Sequence, residues 1–214
     1  MSRYSFEVEP LEHSTTAYLI RHAQSHPSRN LEESQWPLSR VGADQAEKLS
    51  GLLESIEIAK LYSSPYIRCL STITPYSKRR RLDVLVRSSL RERNVAGGVR
   101  DDFRDVWLRS WEDFSFALPG CETSFAAQDR FIRGVRKIVE DEAGSSIAVC
   151  AHGNVMGLLL NHLDANYGRA ETDLMRTPDV VKLIGKGDAL VWDRDFRLPG
   201  LDDIATDHKE TPID

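Results

Sequence analysis

The run Ser146-Ile147-Ala148-Val149-Cys150-Ala151 constrains the fold more than any other stretch of the chain. After its first residue it is continuously apolar, with no polar alternation. An extended segment of this kind needs burial on both faces, as in the centre of a parallel sheet. The neighbouring segments agree. Strand character recurs at 16–21, 59–63 and 82–87, and 180–184 with 189–193 reads as a hairpin around Gly185-Lys186-Gly187-Asp188. Helical spacing fills the intervals at 43–56, from Pro65 to about Ser77, at 122–142 and at 155–163. In the long helix Phe125, Phe131, Val135, Ile138 and Val139 are expected to face inward. Alternating strands and helices predict an α/β class fold: a three-layer α/β/α sandwich with a mostly parallel central sheet. A helical insertion rich in aromatic residues, at about 95–125, would cap it. The 214 residues suit a single domain with its core at about 16–194, an extended tail before it and a poorly packed tail after Phe196.

Polar residues interrupt this apolar framework at chosen points. The strand Thr16-Ala17-Tyr18-Leu19-Ile20 ends in Arg21-His22, and the run at 146–151 ends in His152-Gly153-Asn154. In an open parallel sheet, ligands bind beyond the carboxyl ends of the strands. If these two strands are parallel neighbours, both histidines reach one edge. Ser63-Ser64-Pro65-Tyr66-Ile67-Arg68 puts Arg68 on the first turn of a helix, and Leu90-Arg91-Glu92-Arg93 puts Glu92 just beyond the third strand. Gly153 would let backbone N–H groups face an anion at a helix start.

Two arginines, two histidines, one carboxylic acid and a helix N-terminus point to phosphate. Arginine binds phosphate oxygens bidentately and stays charged. A neutral histidine with its other nitrogen tied to a carbonyl is a nucleophile toward phosphorus, and flanking cations favour that neutral ring. A glutamic acid protonates a leaving oxygen and then deprotonates water. The second histidine donates to the transferring oxygens.

These segments resemble the histidine phosphatase (phosphoglycerate mutase-like) superfamily. LIRHAQS resembles its Arg-His-Gly motif, SSPYIRCLST its second phosphate-arginine motif, LRER the segment of its proton donor and AHGN its second histidine. PLSRVGADQA resembles the segment between the first two motifs, so the likeness covers roughly 16–193. It implies a phosphoglycerate mutase-like fold and His22 as the phosphorylated nucleophile. It further implies Glu92 as acid/base, and Arg21, Arg68 and His152 around the phosphate, with Gly153 and Asn154 beside them. Ala23 stands where the family has glycine. The family's asparagine position is taken by Ser28, with Asn30 two residues on, and either supplies a phosphate contact. Chain length, PGCETS and TPDVVKL resemble the bacterial phosphatase branch. The expected activity is hydrolysis of small phosphomonoesters without cofactor or metal. Mutase-type transfer, a phospho-ligand binding module and a metallohydrolase on His22, His152 and Glu92 are the alternatives.

Composition narrows the partners. The net charge of −5 argues against nucleic acid, and no run spans a membrane. Three scattered cysteines and the absence of a signal-peptide pattern suit a cytoplasmic protein. Lys78-Arg79-Arg80-Arg81 reads as a solvated helix end. Cys69 and Cys150 read as buried small residues, and Glu122 is a second carboxylate within possible reach of the pocket. Arg100, Arg104 and Arg109 either greet an anionic leaving group or stay on the surface, and Trp107 and Trp111 either line the pocket or pack the insertion.

Overall fold

The computed structural model describes residues 14–207. The sheet has six strands: β1 Thr15–Arg21, β2 Lys60–Ser63, β3 Val84–Val86, β4 Ser146–Ala151, β5 Asp179–Lys186 and β6 Ala189–Asp193. Their spatial order is β3-β2-β4-β1-β5-β6. The first four are mutually parallel, while β5 is antiparallel to β1 and to β6. The apolar run is thus a central strand, β4, between β2 and β1. Six helices accompany the sheet: α1 Arg40–Leu52, α2 Ile67–Arg80, α3 Phe103–Glu112, α4 Ser124–Asp141, α5 Gly153–Leu163 and α6 Arg169–Asp173.

Side-chain alternation along the strands builds the three layers. Ala17, Leu19, Ile147, Val149 and Ala151 pack with Phe131, Val135 and Ile138 of α4 and Val155 and Leu159 of α5. Tyr18, Ile20, Ala148 and Cys150 face the other way, onto Leu49 of α1 and Ile73 and Tyr76 of α2. Ser39 caps α1, its hydroxyl accepting the Gly42 N–H at 2.9 Å. Gly42 itself is required by a close approach: a Cβ there would lie 1.9 Å from the Gln24 carbonyl oxygen.

The structure departs from the sequence expectations in four places. Phe125 is 59% exposed, because it lies at the start of α4 against Phe114 rather than over the sheet. The segment after Phe196 is packed: Leu198 and Leu201 join the α1–α2 side of the core, and Thr206 pairs with Thr177. The short helix α6 was not foreseen. Helix α2 runs to Arg80, beyond the expected end at about Ser77, and Arg81, with a φ of 56°, forms its left-handed cap. The N-terminal tail with His13, and His208, lie outside the described residues. Among the described residues, no helix is long and apolar enough to cross a membrane.

Candidate active site

The parallel pairing of β1 with β4 sets Arg21 opposite Ala151, so both strands end at one sheet edge. The next residues are His22 and His152, with ring centroids 5.2 Å apart in an edge-to-face arrangement. His22 Nδ1 lies 2.7 Å from the Ala23 carbonyl oxygen. A carbonyl only accepts, so Nδ1 carries the proton and donates it. Nε2 is then the lone-pair nitrogen, and it accepts the Arg68 Nε–H at 3.2 Å. Two neighbours therefore select one tautomer. The backbone at this point is held by Thr72, whose hydroxyl accepts the Ala23 N–H at 2.9 Å.

Both arginines are buried, Arg21 at 6% exposure and Arg68 at 3%. Arg21 donates from Nη1 to the Met175 carbonyl, while its Nε is buried with no hydrogen-bond partner. Burial pushes its pKa down to about 10, with Glu92 and Asp179 opposing the shift. It remains a cation at neutral pH. Gly153 makes room for it: a Cβ there would lie 2.8 Å from Arg21 Cζ. Arg68 lies over the rings of Tyr66, at 4.8 Å, and Trp36, at 5.6 Å. It donates from Nη1 to the Glu33 carbonyl oxygen at 2.7 Å and from Nη2 to Glu33 Oε1 at 2.8 Å.

His152 is fully buried, and its Nε2 shares a 2.7 Å hydrogen bond with Ser64 Oγ. Cys69 Sγ approaches the same nitrogen at 3.4 Å. Burial, then the charge of Arg68, holds the His152 pKa well below the ordinary histidine value. Glu92 behaves in the opposite sense. It is half-buried, and loss of hydration raises its carboxyl above the usual carboxylate range against the pull of nearby N–H donors. Those donors are the Arg93 N–H at 2.8 Å to Oε1, Val155 N–H at 3.2 Å to Oε1 and Asn154 N–H at 3.2 Å to Oε2.

This last contact corrects one expectation. Two backbone donors at the start of α5 are aimed at the Glu92 carboxyl, not at an incoming anion. The Asn154 side chain is different, since its Oδ1 and Nδ2 are buried with no partner. The structure brings Arg21, His22, Arg68, Glu92, His152, Gly153 and Asn154 to one end of the sheet. It does not bring Ser28 and Asn30 to His22 by any hydrogen bond between described residues. Ser28 Oγ instead accepts the Asn30 N–H at 3.1 Å within the loop. The Glu122 carboxylate is engaged by Arg130, which binds both its oxygens at 2.9 and 2.8 Å, and by Arg91.

The insertion forms its own apolar cluster of Val95, Ala96, Val106 and Trp107, with Trp111 and Phe116 against it. Trp107 Nε1 donates to Asp173 at 2.9 Å, and Arg100 and Arg104 pair with Asp102 and Asp173. Arg109 covers the Phe116 ring. Arg93, which the sequence left without a role, is 2% exposed and donates to the Glu122 carbonyl and Ser124 Oγ. Glu33, Thr72 and Met175 were equally unmarked, because each meets its partner only through the folded chain.

Comparison with known proteins places the fold. The solved structure of a mycobacterial glucosyl-3-phosphoglycerate phosphatase aligns with a TM-score of 0.68 at 22% identity, covering 84% of this chain and 97% of that one. A phosphoglycerate mutase from Bacillus anthracis aligns at 0.68 with 20% identity, covering 86% and 93%. A putative alpha-ribazole-5'-phosphate phosphatase from Escherichia coli K-12 aligns at 0.65 with 21% identity, covering 83% and 94%. These likenesses establish the fold, and the search of curated proteins gave no match. The model of the histidine phosphatase superfamily (branch 1) matches residues 17–181, and the chain belongs to that family.

Proposed function

We propose that the protein is a metal-independent phosphatase that hydrolyses small phosphomonoesters through a phosphohistidine on His22. The observation that carries this reading is the enforced tautomer of His22: Nδ1–H donates to the Ala23 carbonyl, and Nε2 presents its lone pair beside two buried arginines. Supporting it, Arg21 Nε and the Asn154 amide are buried polar groups without partners. Such groups are costly unless a ligand satisfies them, and phosphate oxygens suit the arginine donor and the amide N–H₂.

In the first half-reaction His22 Nε2 forms a bond to phosphorus as the ester P–O bond breaks. Glu92 gives its proton to the leaving oxygen, a role aided by its raised pKa. The Ala23 carbonyl holds Nδ1–H and stabilises the charge that the ring acquires. Arg21, Arg68 and His152 balance charge on the transferring oxygens. In the second half the Glu92 carboxylate removes a proton from water. The water oxygen bonds to phosphorus, the N–P bond breaks and inorganic phosphate leaves. The insertion at about 95–125 serves as the cap over the leaving-group side, anchored through Arg93. Adjacent guanidinium groups disfavour a divalent cation here.

The test is phosphate release from an aryl phosphate and a metabolite panel in chelator, with His22→Ala alongside. Release by the parent and none by the variant supports the proposal. No release, with isomerisation of a phosphorylated sugar acid after bisphosphate priming, would instead assign mutase chemistry.

A further inference from the structure

Arg68 is held in an unusual way. A guanidinium has five N–H donors and two edges suited to paired acceptors, Nη1/Nη2 and Nε/Nη2. One residue, Glu33, takes the first edge with two different groups: its carbonyl oxygen at Nη1, 2.7 Å, and its carboxylate at Nη2, 2.8 Å. The second edge carries Nε–H, which points to His22 Nε2 at 3.2 Å. The Arg68 side chain is 4% exposed and that of Glu33 27%, so the pair is largely shielded from water. Glu33 sits on a single turn, Glu33–Gln35, in the loop between β1 and α1. That loop is tied to itself by Trp36, whose Nε1 donates to the Ser28 carbonyl at 3.0 Å, and the Trp36 ring also packs on Arg68.

We infer that Glu33 is a positioning residue: it clamps the outer edge of Arg68 so that Nε and the inner Nη2 hydrogen face the phosphoryl group on His22. This rests on the phosphatase reading above. The opposite role, a carboxylate that competes with phosphate for Arg68, fits the geometry less well. A competitor would take the Nε edge beside the nucleophile. Glu33 takes the far edge, and half of its grip is backbone carbonyl, which cannot withdraw without moving the loop. The charge of Glu33 adds a second effect, since an ion-paired guanidinium loses less rotamer freedom when phosphate arrives.

The experiment compares the parent, Glu33→Ala, Glu33→Gln and Arg68→Ala, and the pair Glu33→Ala with Arg68→Ala. It reads kcat and KM for an aryl phosphate, competitive inhibition by inorganic phosphate, and Tm. Glu33→Ala should weaken inorganic phosphate and raise KM by roughly tenfold with little change in Tm, as expected for loosening one charged contact. Glu33→Gln keeps an acceptor at the same place and should return both constants to within about threefold of the parent. In the Arg68→Ala background, Glu33→Ala should add almost nothing. Tighter phosphate binding by Glu33→Ala, unchanged constants, or an undiminished effect without Arg68 would each overturn the clamp. A parent that neither turns over nor binds phosphate would overturn the phosphatase reading itself, a different outcome.

Discussion

Replacing Gly153 by alanine should damage phosphate handling without damaging the fold. The new Cβ would lie 2.8 Å from both Cζ and Nε of Arg21, about 0.6 Å inside ordinary van der Waals contact. Gly153 opens α5 and is not among the glycines with positive φ, so alanine suits the backbone there. Alanine also favours a helix over glycine by up to about 1 kcal/mol. Relief must therefore come from Arg21, whose Nη1 is tied to the Met175 carbonyl and whose Nε is buried without a partner. A charged hydrogen bond contributes about 1.5–3 kcal/mol, so displacing this guanidinium should lower kcat/KM by roughly 10- to 100-fold. The assay is aryl phosphate hydrolysis with Tm measured on the same samples. Gly157→Ala is the contrast: its Cβ would strike Thr172 Oγ1 at 2.3 Å, on the same helix but away from Arg21. It should lower Tm more than Gly153→Ala does. Parent-level kcat/KM in a folded Gly153→Ala, or loss of activity that merely tracks Tm in both variants, would refute the reasoning.

Four further outcomes are expected. Glu92→Gln should lower kcat by about 10²- to 10⁴-fold for an alkyl phosphate and much less for an aryl phosphate, whose leaving oxygen needs no proton; equal losses on both would remove Glu92 as the acid. His152 is held neutral below its ordinary value of 6.5, so the unfolded chain binds the extra proton; stability should fall as pH drops below 6.5, and His152→Asn should flatten that limb in urea titrations. Gly42→Ala, with its Cβ 1.9 Å from the Gln24 carbonyl, should cost about 3 kcal/mol in urea unfolding, since backbone must move. Arg93→Ala should cost about 3–5 kcal/mol, because it empties a buried site and strips partners from the Glu122 carbonyl and Ser124 Oγ; a shift in the urea midpoint near zero would show that Arg93 does not anchor the insertion.

Local pattern carried much of the architecture. The uninterrupted apolarity of 146–151 required a strand buried on both faces, whereas its neighbours β2 and β1 were set by the folded sheet. Motif residues at strand ends were legible because a parallel sheet sends consecutive strand termini to one edge. Arg21 opposite Ala151 bears this out. Phe125 was misread because helical spacing locates an apolar stripe but not where the helix leaves the sheet. The segment beyond Phe196 was misread because its scattered Leu198 and Leu201 show no period, yet both close the core beside α1.

By itself the sequence determined the fold class, the family and the chemical types gathered at the sheet edge, since these depend on periodicity and on short motifs. Tertiary structure decided how those groups are held. Arg91 meets the Glu122 carboxylate across 31 residues of sequence. The start of α5 serves Glu92 because the chain after β3 lies beside it. Glu33 meets Arg68 across 35 residues of sequence. Each of these is a directional contact between side chains or backbone groups distant in the chain, and such contacts leave no periodic trace in a single sequence.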